Sequence, residues 1–160
     1  MKNLLNIYQM WIREVIGKKL KGVNGLIYIF NTPDFDSPQQ VQLTFLSKGQ
    51  NASFRCGKDG ASLEITYLPM KESVLGEYGK QVIIDISTSQ LFYKYIGKVL
   101  SHFFVIYSDV EKTIIGVKLV FNNELDLLII NLGDEIKILD TLTLEFEQDE
   151  AIHYIRMPSV

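Results

Sequence analysis

Residues 114–139 constrain the fold most. Three runs of strand length, Val117-Lys118-Leu119-Val120-Phe121, Leu125-Asp126-Leu127-Leu128-Ile129-Ile130 and Glu135-Ile136-Lys137-Ile138, are separated by Asn122-Asn123-Glu124 and Asn131-Leu132-Gly133-Asp134. β-Branched and aromatic residues suit a pleated surface, while Asn, Gly and Asp tolerate the left-handed backbone of tight hairpins. Connections this short join antiparallel neighbours, so the stretch predicts a three-stranded meander. Its middle run does not alternate and is expected to be buried on both faces.

An earlier stretch reads as a worn copy. Val41-Gln42-Leu43-Thr44-Phe45 matches Val117 to Phe121, and Leu63-Glu64-Ile65 matches Glu135-Ile136-Lys137-Ile138. Upstream of each, Ile16-Gly17-Lys18-Lys19-Leu20 echoes Ile96-Gly97-Lys98-Val99-Leu100. The offset shrinks along the chain, so the pseudo-repeats, 4–66 and 89–139, are gapped. A unit of about eighty residues is too long for a solenoid repeat and points to two equivalent halves of one β domain spanning 1–160. Such halves should be related by a pseudo-two-fold axis.

The remaining segments fit this plan. Leu4, Leu5, Tyr8, Trp11, Ile12, Val15 and Ile16 form one stripe of an amphipathic helix, and Gly17 is placed to end it. Strands are expected over 20–30, 41–45, 52–56, 63–65, 82–86 and 102–107. Residues 31–38 and 69–79 read as loops, and 87–95 as a short helix capped by Ser87 or Ser89. In the tail, Leu142, Leu144 and Phe146 alternate with Thr143 and Glu145 and predict a strand. Gln148 to Glu150 reads as an acidic turn before a last edge strand from Ala151. The expected class is mainly β (α+β): an antiparallel β-sandwich or flattened barrel with an N-terminal helix.

Composition excludes several functions. The single Cys56 rules out an intrachain disulfide and fits a reducing compartment. The N-terminus has no continuous apolar core of a signal peptide, and no run approaches a membrane span, so a cytoplasmic protein without membrane contact is expected. Charge is uneven: residues 1–100 carry 12 basic and 8 acidic side chains, residues 101–160 carry 4 and 11. Lys18, Lys19 and Lys21 cluster beside the helix C-terminus, where the helix dipole favours them, and an acidic pI near 5.4 argues against direct nucleic-acid binding.

No reaction chemistry is legible. Two histidines, His102 and His153, and one cysteine cannot supply an ordinary Cys/His zinc site, and no Asp-rich loop has calcium spacing. There is no nucleophile elbow and no P-loop, so no catalytic residue, metal or cofactor is expected. Cys56 is expected to act as a small buried hydrophobe. The acidic cluster Asp134, Glu135, Glu145, Glu147, Asp149 and Glu150 is the candidate partner-binding face, with Glu145 and Glu147 sharing one face of a strand.

The turns Gly76-Glu77-Tyr78-Gly79, Ile96-Gly97-Lys98 and Asn131-Leu132-Gly133-Asp134-Glu135-Ile136 resemble those of small bacterial β-rich immunity proteins of polymorphic toxin and contact-dependent growth-inhibition systems. The resemblance runs through most of 57–138. It implies an inhibitor that binds a cognate toxin domain and does no chemistry. Many such toxins are nucleases with basic clefts, which an acidic surface would steer toward and match. The alternative is a small ligand-binding or enzymatic β domain with its site between the two pseudo-repeats. A deep cleft lined by Asp59, Asp134 and a histidine would mark it. A third reading is an oligomerisation module joined through edge strands.

Overall fold

In the computed structural model, which describes residues 2–158, the chain is mainly antiparallel β in two sheets, one of them a half-barrel, with an N-terminal helix. Helix α1 (Lys2–Val15) is followed by β1 (Leu20–Phe30), β2 (Thr32–Pro33), β3 (Gln40–Phe45), β4 (Ala52–Cys56), β5 (Leu63–Thr66), β6 (Ser73–Val74) and β7 (Lys80–Asp85). Then come β8 (Leu100–Ser108), β9 (Thr113–Phe121), β10 (Leu125–Asn131), β11 (Ile136–Leu139), α2 (Leu144–Asp149) and β12 (Ile152–Met157). Among the described residues, no helix is long and apolar enough to cross a membrane.

Both sheets follow one plan. The first runs β5-β4-β3-β1-β7, with β6 beyond β7 and β2 folded back on β1; the second runs β11-β10-β9-β8-β12. Leu20 pairs with Phe45 before a register shift, and Leu100 pairs with Phe121 before the same shift. Val41 pairs with Phe54 and Phe54 with Ile65; Val117 pairs with Ile129 and Ile129 with Ile138. In each half the last strand, β7 or β12, then pairs antiparallel with the free side of the first, β1 or β8.

The halves are tied where β1 and β8 begin. Gly17 N donates to Leu100 O (2.8 Å) and Gly97 N to Leu20 O (2.7 Å); Leu20 N donates to Lys98 O (3.0 Å) and Leu100 N to Lys18 O (2.9 Å). These four bonds exchange under a local two-fold rotation. Gly17 (φ 79) and Gly97 (φ 81) adopt the left-handed conformation that turns the chain out of the preceding helical segment.

The interior is filled from both sides. Trp11 meets Phe45, Phe54 and Phe103 edge-on, at centroid distances of 6.0, 5.4 and 5.5 Å, and so touches both sheets. The buried Tyr8 hydroxyl donates to Leu63 O at 2.9 Å. One apolar cluster runs through both halves. As expected, β10 is buried on both faces. Leu127 and Ile129 join the main core, while Leu128 and Ile130 join a second cluster with Ile106, Ile115 and Leu142, against which Phe146 packs.

Several local expectations are corrected. The segments 31–38 and 69–79, expected to be loops, carry the short strands β2 and β6, paired with β1 and β7. Residues 87–95 form turns that end in one 3-10 turn at Tyr93–Tyr95, although Phe92 and Tyr95 point inward as expected. The 141–146 segment is not a strand: Thr143 Oγ1 accepts from Phe146 N (3.1 Å) and caps α2. Leu142 and Phe146, four apart, cover the outer cluster, and Leu144 is left 69% exposed.

No side chain crowds the space where a Cβ would stand at Gly17 or Gly97. Alanine at either should therefore cost only the left-handed backbone, about 1–2 kcal/mol, and nearly equally at both. Urea denaturation of G17A and G97A checks this; two variants as stable as wild type would contradict the crossing geometry.

Candidate functional site

The six predicted acidic residues divide between two concavities and the solvent. The β10–β11 hairpin is the ridge between the concavities. Gly133 (φ 62) and Asp134 (φ 65) both take left-handed backbone, as a two-residue hairpin turn requires. Leu132 N donates to Glu135 O (2.9 Å) and Glu135 N to Leu132 O (3.3 Å). The buried Asn131 holds this ridge to the other half: its Nδ2 donates to Ser62 O (2.9 Å) and its Oδ1 accepts from Asp134 N (2.9 Å).

On one side lies a groove of about 310 Å³ lined by Asp59, Glu111 and Glu150 around the apolar Ile115, Leu132 and Phe146. No lysine or arginine lines it. Hydrogen bonds hold two of its carboxylates, those of Asp59 and Glu150. Asp59 Oδ1 accepts from Ser62 N (2.8 Å), Ala61 N (2.9 Å) and Ser62 Oγ (3.0 Å), and these bonds hold its carboxyl below the usual range. The buried Ser108 accepts from Glu111 N (3.0 Å) and donates to Glu150 Oε2 (2.8 Å).

On the other side is a cleft of about 350 Å³ on the outer face of the first sheet. Leu26, Gln40, Arg55 and Gln81 line it with the loop carrying Asp34 and Ser37 and with Asp134, Glu135 and Ile136. Cys56 lines it too; burial, then Asp134, then Glu135 push its thiol up to about 11. It is half-buried and packs against the core, and as a thiol it is a poor nucleophile at neutral pH.

The acidic cluster is thus redistributed. Asp134 and Glu135 belong to the cleft, where Glu135 also pairs with Lys137 (3.1 Å), and Glu150 belongs to the groove. Glu145, Glu147 and Asp149 lie on α2 and line neither concavity. Glu145 and Glu147 do not share a strand face: residues two apart on a helix point apart. Glu147 Oε2 accepts from the Tyr154 hydroxyl (2.6 Å). A Thr followed by acidic residues in a first helical turn was the signal for α2.

Asp59 and Asp134 sit on opposite sides of the hairpin ridge, and neither His102 nor His153 lines either concavity. His102 Nδ1 accepts from Arg156 Nη2 (3.0 Å), which places the ring proton on Nε2 when neutral. Among the described residues, no group of three His, Cys, Asp or Glu side chains is placed to hold a metal ion. Asp34, Gln40, Arg55 and Glu111 were not singled out from the sequence, because their neighbours come from strands and turns distant in the chain.

No protein-family model, curated protein or solved structure matches this chain at a significant level.

Because its pKa is raised, native Cys56 should stay protonated until the pH approaches about 11, and the stability it lends as a buried thiol should be complete below the free-thiol range near 9 and be lost as pH rises from there through about 11. Alkylation by iodoacetamide should accelerate there in the native protein, and D134N should shift the profile to lower pH. A rate that plateaus near the free-thiol range would contradict this environment.

Proposed function

We propose that this protein is a cytoplasmic binding protein of the immunity class, which neutralises a cognate bacterial toxin domain, most simply a nuclease, without bond-making of its own. The observation that carries the reading is the groove of Asp59, Glu111 and Glu150: three carboxylates, an apolar floor and no lining cation. A surface of this kind steers and orients a basic partner, and its apolar centre adds affinity once water is expelled. The resemblance of the turn residues to immunity proteins supports the same partner class.

The test is direct binding to a purified cognate toxin domain. Wild type should bind with an association rate that falls with salt. The charge reversals E111K and E150K should slow association and flatten the salt dependence, while E145K should act weakly. Equal rates for all three variants would remove the groove from the interface.

A second reading, a ligand-binding β domain, is favoured by the cleft, whose walls come from both halves: residues 26–56 on one side and 134–136 on the other.

A further inference from the structure

The cleft is built and held before any ligand arrives. Its floor is Leu26 and Gln40, opposite one another on β1 and β3 and 7% and 9% exposed. One wall is the loop after β2. Asp34 Oδ1 accepts from Ser37 N (3.3 Å), Ser37 Oγ donates to Ile136 O (3.1 Å) and accepts from Lys137 Nζ (2.7 Å), and Gln39 N donates to Leu26 O (2.8 Å). Another part of its lining is the end of the β10–β11 hairpin, Asp134 to Ile136.

The acceptors are in excess. Arg55 Nε is engaged by Glu64 (3.2 Å) and Glu135 by Lys137, whereas Asp34 and Asp134 have no ion pair among the described residues. On the floor, Gln40 Nε2 donates to Ser53 Oγ (2.6 Å), while the Oε1 of this amide, on a side chain about nine-tenths buried, has no partner among the described residues. Two unpaired carboxylates and an amide oxygen lining one cleft call for a cation with several spread N–H donors. A guanidinium offers five in one plane, and an ammonium is more compact than this space.

We propose that the cleft is a binding site for a guanidinium group. This deepens the ligand-binding reading and stands or falls apart from toxin binding. The group could come from a small free amine-type ligand or from an arginine side chain of a polypeptide.

The experiment is titration of the whole protein, followed by amide NMR shifts, with agmatine, a capped Gly-Gly-Arg-Gly-Gly peptide, and the same peptide with citrulline in place of arginine. Agmatine or the arginine peptide should shift resonances of Gln40, Arg55 and Gly133 with a millimolar Kd. The stronger of the two identifies the source. D34N/D134N should bind about tenfold more weakly or not at all, and since Asn tolerates the left-handed backbone at 134, an unchanged melting curve shows that the fold is intact. Absence of shifts with both ligands, equal affinity for the citrulline peptide, or undiminished binding by the double variant would each overturn the proposal.

Discussion

Trp11 is the contact on which the two-sheet architecture depends. Each half is a meander whose last strand returns to its first, and neither sheet alone covers its inner face. The indole is buried against Phe45 and Phe54 of one sheet and Phe103 of the other, so a single helix closes both. Truncating aromatic side chains of this size in a core costs about 3–5 kcal/mol, a large share of the stability of an ordinary domain. The reciprocal bonds between residues 17–20 and 97–100 fix the angle at which the sheets meet that helix.

This arrangement places the candidate sites. Because the halves pack through a common core, turns distant in sequence become neighbours: the β4–β5 turn meets the β10–β11 hairpin through Asn131 and Ser62, and the loop after β2 meets β11 through Ser37 and Ile136. Both concavities are products of these two bridges. Each draws residues from the first and the second half, and the hairpin at Gly133-Asp134 serves as the wall of both.

Much of the fold was legible because its signals are local. Alternation at Val41-Gln42-Leu43-Thr44-Phe45, the left-handed Asn122-Asn123 and Gly133-Asp134 turns, and the double Ile-Gly-Lys each act within a few residues. The tail misled because Leu142, Leu144 and Phe146 satisfy two periods at once. The strand reading uses all three; in the structure Leu142 lies just before the Thr143 cap and Phe146 in the first turn of α2, and this arrangement prevails because the outer face of the second sheet carries Leu128 and Ile130 and needs a cover. The site was less legible for a different reason. Acidic residues grouped by sequence, such as Glu145 and Glu147, point apart on α2, whereas Asp59, Glu111 and Glu150 are gathered only by the tertiary fold.

In the function we propose, a protein partner docks on the acidic groove at the turn end of the molecule. Hydrogen–deuterium exchange of the protein alone and with a cognate toxin domain is the decisive measurement. Docking there should bring new protection in residues 57–62, 108–112, 131–135 and 143–150, with the β1–β8 crossing unchanged. Protection confined to the crossing and the exposed β6–β7 edge, with those four segments exchanging as in the free protein, would contradict it.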